Sequence, residues 1–494
     1  FTITGGATFN SGLVTNGKLL PTGSLCHFGG GILNVKITAT SGYYHMNGGT
    51  FMLPVNLTSS TASTTGTGGC VFNDSLTITN TGSYYFTMGS SAKDYFNGPV
   101  IIVNTSTHEV NLSTGDSAFY SQNIIVNSTN GGGVTFGNSG GVSILADGKT
   151  IAVGSIGFTN DYLTLKNFTQ LGSYEQTLSL TGTAIVNMVN CAFDGNLTVT
   201  SPGFLLKNST FNGASSFTRS GSSGNHQSDG GNTFNNTLTM DNSGSSGRIR
   251  MSTTTPDMYQ GNTTFNSTGG QDVQLCYTGN SYFYGNITIN SNKVVFNTAS
   301  GKVTFAGGNS QSLNGSYNFL FKKLAIDKTD GFVTSNATFS VDDTLFFIKG
   351  SFITKSTNEL TLKLNSKAVG ASDSSYVQGP VKKIGNTGFV FPTGANNSYR
   401  PIEMSAPSTT TSEFVGEFID DSLYVHTLQR DSSLGFLIRN KYWKLNRTSG
   451  TSQVYVTLSW NSQNALVDTF VNVSSWNGSQ WNNLGKGNVY GNKS

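Results

Sequence analysis

Charge is what this chain of 494 residues has least of: Lys, Arg, Asp and Glu supply 11% of it, against about 25% in an ordinary globular protein. Proline is scarce at 9 residues, and there are 4 cysteines. Each shortage excludes something. A net charge of +3, with no concentrated basic stretch, argues against nucleic acid as a partner. No run of about 20 apolar residues exists to make a membrane-spanning helix. Strict Gly periodicity is missing, so a collagen helix is excluded. Cys26, Cys70, Cys191 and Cys276 lie far apart without the close pairs of a zinc site, and His27, His45, His108, His226 and His426 show no HxxxH spacing. No metal and no cofactor are therefore expected. Cys26 and Cys70 are the candidate disulfide pair, although four buried free thiols fit the pattern equally well.

The missing charges are replaced by Ser, Thr, Asn and 61 Gly. With 36% hydrophobic and 11% aromatic residues the chain can still bury a core, so it is not a disordered low-complexity segment. Few residues suit a helix surface, whereas Thr, Val, Ile, Phe and Tyr suit a pleated one. The expected class is all-β. The chain begins at Phe1 without a charged-then-apolar leader, which reads as a processed piece. A Ser/Thr/Asn surface with few lysines points to an extracellular location.

A repeat supplies the architecture. An aromatic residue, then Asn or another polar residue, then Gly or a small residue, then a β-rich run recurs at Phe72, Phe96, Tyr120, Phe193, Phe211, Phe234, Tyr259 and Phe283. The steps from 72 to 96 to 120, and from 211 to 234 to 259 to 283, are 23 to 25 residues. A further strand follows at a fixed offset, ending at Met88, Met251 and Leu275. Two or three short strands per coil of about 24 residues describe a right-handed parallel β-helix, whose coils bury their inward faces only by stacking. Propeller blades would need about twice this period. Asn at the corners tolerates left-handed geometry.

The composition breaks late in the chain. Residues 1–321 carry 11 Lys/Arg and 12 Asp/Glu, whereas the shorter 322–494 carries 17 and 13 and all four Trp. Alternating strands such as Gln453–Trp460 predict an antiparallel sandwich. The expected division is 1–375 parallel β-helix and 376–494 immunoglobulin-like β-sandwich, the second capping the open end of the column.

No catalytic constellation emerges. Glycoside cleavage needs two carboxylates about 6.5–9.5 Å apart on an inverting enzyme, and the adjacent pairs, Asp342-Asp343 and Asp420-Asp421, read as solvated turn residues. Arg248-Ile-Arg250 superficially resembles a polygalacturonase Arg-Ile-Lys, yet it occupies the strand slot before Met251 that Val273-Gln occupies before Leu275. Catalytic residues: none. Tyr43-Tyr44, Tyr84-Tyr85 and Tyr282-Phe283-Tyr284 could stack on sugars, with about half of each cluster expected to point inward because strand side chains alternate.

The segment Ser375-Tyr-Val-Gln-Gly-Pro-Val-Lys-Lys-Ile-Gly-Asn-Thr-Gly-Phe-Val-Phe-Pro-Thr-Gly394, followed by Tyr399-Arg-Pro-Ile-Glu-Met, resembles a block near the C-terminus of large cell-surface proteins that Bacteroidota export by type IX secretion. The upstream Phe-x-Gly-Asn-x-Thr repeats are similar to the repetitive regions of those proteins. The resemblance implies the type IX machinery as a partner during export and a C-terminal sorting domain, which this sequence does not contain. It also implies O-glycosylation at Asp-Ser/Thr-apolar, matched at Ser75, Ser117, Thr344 and Ser422. The resulting expectation is a non-enzymatic extracellular adhesin, stalk or filament component that binds extracellular glycans or self-associates into fibres. The alternative is a polysaccharide-binding or polysaccharide-degrading β-helix protein.

Overall fold

Stacking of short parallel strands organises most of the chain. The computed structural model describes residues 2–4, 7–9, 13–60, 64–222, 224–420, 429–435, 437, 440–459 and 472–486. They fall into two units, Phe1–Gly279 and Asn280–Ser494. Helix is confined, among the described residues, to one 3-10 turn at Asn138–Gly140.

In the first unit each coil contributes three strands, one to each of three faces. Cys70–Phe72, Leu76–Asn80 and Phe86–Thr87 make up one such coil, and Asp94–Phe96, Val100–Asn104 and Val110–Leu112 the next. All pair in parallel, in register with the coil before and after. The expected further strand is thus the third of the coil, and Met88, Met251 and Leu275 lie just beyond it, fully buried. At the start of the unit Leu13–Phe28 and Ile32–Met46 run as long strands, also paired in parallel.

The aromatic signature is explained by two ladders that run side by side. Phe51, Phe72, Phe96 and Tyr120 occupy one register position on the first face. Their rings stack at centroid separations of 4.7, 5.3 and 4.8 Å with interplanar angles of 7° or less. A second stack runs through Phe193, Phe211, Phe234 and Tyr259. The residue after each ring points outward at the turn, and there Asn97 donates to Asn73, Asn212 to Asp194 and Asn235 to Asn212, at 2.7–2.9 Å. Between the two stacks, Leu145 and Gln170 take the aromatic position.

The corners are polar and buried. Ser59, Asn80, Asn104 and Ser128 share a register position at the end of the second face, each no more than 1% exposed. The Asn104 amide donates to the carbonyls of His108 (2.9 Å) and Gly133 (3.0 Å), which closes the following turn. Further along, Arg219 fills the equivalent place, fully buried, and donates to Gly221 O, Gly224 O and Asn242 Oδ1. At the exit of the third face the backbone turns left-handed in coil after coil. Ser113, Asn167, Asn190, Asn208 and Ser252 have φ between 48° and 56°, a geometry that Asn adopts more readily than most residues. Asn at the corners therefore does what its chemistry predicts.

The second unit also begins with parallel coils: Ser281–Phe283 pairs with Val303–Phe305, and Phe319–Ser335 with Phe339–Ile353. Among the described strands, the parallel ladder ends where Leu360–Leu362 joins Val381–Lys383. Val381–Ile384 then pairs antiparallel with Glu413–Gly416, and Glu413–Asp420 with Lys441–Ser449. A second antiparallel sheet comprises Phe389–Phe391, Ile402–Met404 and Val456–Leu458. Phe391 lies flush on the backbone of Gly416, where a Cβ would come within 2.7 Å of its ring. The all-β class, the parallel coils and the antiparallel C-terminal sheets all match the sequence-based expectation.

Candidate functional site

The outer side of the second face carries a regular polar surface between residues 177 and 266. Thr177, Thr198, Ser216, Thr239 and Thr264 form one outward column. Ser179, Thr200, Thr218, Asp241 and Asn266 form the next. Strand geometry sets the hydroxyls about 4.8 Å apart between coils and about 6.6 Å apart along each strand. This face can offer a periodic array of hydroxyl donors and acceptors with little charge.

Exposed rings occur elsewhere on the first unit. Tyr84 and Tyr85 are 50% and 47% exposed. Both point outward, because they sit in the turn before Phe86, outside a strand, so the expected in–out alternation fails there. It holds at Tyr282-Phe283-Tyr284, where Phe283 alone is buried. Tyr44 is buried, with its hydroxyl between the carbonyls of Ala39 and Thr58, and the side chain of Tyr43 lies outside the described residues.

The Arg248-Ile-Arg250 segment sits in the third-face slot, with Ile249 opposite Val273 and Arg250 opposite Gln274. Arg248 pairs with Asp272, and Arg250 donates to Gln274 Oε1 while its guanidinium lies 4.5 Å from the Tyr277 ring centroid. Asp342 and Asp343 are not turn residues. They sit inside the strand Phe339–Ile353 where its register shifts, and pair with Lys363 and Lys323. Asp420 ends its strand in an ion pair with Lys441, and Asp421 lies outside the described residues.

Among the glycosylation candidates, Ser75 and Ser117 are half-buried in turns. Their backbone N–H groups donate to the carboxylates of Asp74 and Asp116, both at 2.6 Å. Thr344 is 3% exposed and donates to Asp343 Oδ1, so its hydroxyl is out of a glycan's reach in the folded chain. Ser422 lies outside the described residues. Cys26 and Cys70 are free, buried thiols, as are Cys191 and Cys276. Cys26 belongs to a ladder with Tyr44, while Cys70 opens the first face opposite Gly49, so the expected disulfide is not formed. Burial pushes the thiols of Cys26 and Cys191 up to about 12.

Several buried ionisable groups carry no signal in the sequence. Asp94 is 1% exposed, and its Oδ1 accepts from the Cys70 N–H at 2.9 Å. Burial, with a smaller contribution from Asp116, raises its carboxyl to about 7. Asp257 is fully buried, accepting from Asn232 and from the Ser252 hydroxyl, and burial raises it to about 6. Lys383 is fully buried among the carbonyls of Lys363 and Ser366, and burial lowers its ammonium to about 8. Lys328 is held likewise by Ala306 O and Asn309 O. These groups are held by hydrogen bonds inside the fold. The antiparallel sheets hold a shallow depression of about 340 Å³ beside Phe389, Glu403 and Tyr455. Among the described residues no three His, Cys, Asp or Glu side chains converge as metal ligands, and no helix is long and apolar enough to cross a membrane. Compared with protein-family models, curated proteins and solved structures, the chain matches none.

Proposed function

We propose that this chain is a non-enzymatic extracellular protein of the cell surface, an adhesin or structural stalk exported by type IX secretion. The observation that carries the proposal is the outward grid of hydroxyls on the second face. A low-charge array repeating every coil suits a partner with repeating chemistry, such as an extracellular glycan chain. The resemblance of residues 375–402 to type IX cargo supports the route and the outer-surface location. Glycans on Ser75 and Ser117 would add solubility to a surface with little charge. The test is immobilised-glycan binding by the intact protein, together with a Thr198→Lys/Thr218→Lys/Thr239→Lys variant that keeps the fold and disrupts the grid. Retention of wild-type protein and loss in the variant is expected; equal retention of both refutes the assignment of this face.

Tyr84, Tyr85, Tyr162 and Tyr174, each 39% or more exposed, favour a second reading as a polysaccharide-active protein. Incubation with pectins, alginates and glucans separates the two. New reducing ends or unsaturated products would establish an enzyme.

A further inference from the structure

Arginine is rare in the first unit: Arg219, Arg248 and Arg250 are all there is. Arg219 is buried, whereas Arg248 and Arg250 flank the inward Ile249 and so share the outer side of the third face. In the Arg250 column Gln227 stands in the coil before and Gln274 in the coil after. A continuous set of contacts fixes these side chains. Arg248 Nε lies 3.2 Å from Asp272 Oδ2, and the same oxygen accepts from Gln274 Nε2 at 3.2 Å. Gln274, only 3% exposed, then accepts at Oε1 from Arg250 Nε at 2.8 Å. The Arg250 guanidinium also lies over the Tyr277 ring, 4.5 Å from its centroid. Its orientation is thus set twice, by a buried amide and by an aromatic face. Yet Arg250 belongs to no ion pair among the described residues. One carboxylate, Asp272, stands against two guanidinium groups, which leaves a local charge of +1.

We propose that Arg250 anchors an acidic polysaccharide, holding the carboxylate of one uronic acid residue through Nη1 and Nη2. The planar fork of a guanidinium matches a carboxylate with two parallel hydrogen bonds. Because Nε and the ring already hold the group, little side-chain freedom is left to lose on binding. Arg250 is half-buried, and partial exclusion of water strengthens a charged contact. The exposed amides of Asn225 and Gln227 stand in the preceding coil, and together with Asp272 they suit the hydroxyls of the same sugar. An acidic peptide would set its clustered carboxylates against Asp272, whereas a polyuronate carries one charge per sugar and offers that carboxylate hydroxyl donors. The proposal rests on the reading of this chain as a glycan-binding surface protein, and it puts the acidic sugar on the third face, not on the hydroxyl columns of the second.

The test is calorimetric titration of the full chain with β-linked hexamannuronate and with mannohexaose, the same sugar chain with hydroxymethyl groups in place of carboxylates. Hexamannuronate should bind with a dissociation constant of about 1 mM or tighter, and at least tenfold more tightly than mannohexaose. Arg250→Gln and Arg250→Lys should both abolish that difference. Glutamine removes the charge, and lysine keeps it but lacks the fork; the loss of about tenfold or more is that of one charge-assisted hydrogen bond. Both variants should match the wild-type circular dichroism. Should either fail to fold, the comparison of the two oligomers on the wild type still decides. No saturable binding of hexamannuronate up to about 10 mM, ten times the expected constant, overturns the site. So does equal affinity of the wild type for both oligomers, or a difference that survives both substitutions. Equally tight binding of hexa-aspartate overturns it in favour of an acidic protein partner. Retention of neutral glycans by the hydroxyl grid is read in Arg250→Gln, which leaves that grid intact, so failure here and failure there are told apart.

Discussion

Asp94 makes stability depend on pH in the direction opposite to a salt-bridged carboxylate. In the unfolded chain its pKa is about 3.9, and in the fold it is about 7. Between those values the native state holds a proton that the unfolded chain has lost, so stability falls as pH rises. The contribution is complete below about pH 4 and is lost as pH climbs through 7. Three units at about 1.4 kcal/mol each give roughly 4 kcal/mol, with little discount for screening because the carboxyl is 1% exposed. Asp94→Asn keeps an acceptor for the Cys70 N–H and removes the titration. Urea unfolding followed by circular dichroism at pH 5 and pH 8 should show the wild type losing resistance at the higher pH. The loss should be markedly smaller in Asp94→Asn, so that the variant is the more stable protein at pH 8. Parallel pH profiles for the two proteins would refute the reasoning.

Other consequences are as direct. Phe96→Ala should cost about 3–5 kcal/mol. A double-mutant cycle between Phe72 and Phe96 should couple by about 0.5–1.5 kcal/mol, while Phe72 with Phe234 should couple negligibly; equal couplings in urea unfolding would dismiss ring stacking. Asn104→Ala takes the acceptor from the buried Ser106 N–H and one donor each from the carbonyls of His108 and Gly133, and should cost about 1–3 kcal/mol, whereas the outward Asn97→Ala should stay within about 0.5 kcal/mol. A thiol reagent should find no reactive cysteine in the native protein and four in urea; fewer than four would reveal a disulfide.

The parallel coils were legible because the signature records two packing demands at once: a ring that stacks inward and an Asn that bonds outward. Where Leu145 and Gln170 replace the ring, that signal vanishes although the coil persists, since neighbouring strands impose the register. Asp94 and Asp257 were not legible, because a lone Asp in a turn-rich sequence looks like any other turn residue and only burial tells them apart. Tyr84 and Tyr85 defeated the alternation rule because the strand starts one residue later, at Phe86.

The turn between the first and second faces is nearly invariant: Phe72 to Leu76, Phe96 to Val100, Tyr120 to Ile124, Phe193 to Leu197, Phe211 to Ser215, Phe234 to Leu238 and Tyr259 to Thr263 are each four positions apart. The turn into the third face varies freely, from Asn242 on to Ile249 down to Ser201 on to Gly203. One edge of the coil is thus ruled to a fixed gauge while another absorbs length. Insertions at the second edge lengthen a loop, whereas a single residue added at the first would slip the strand and turn its core face to water. Grafted peptides should therefore be accepted between residues 242 and 249 and rejected between 72 and 76.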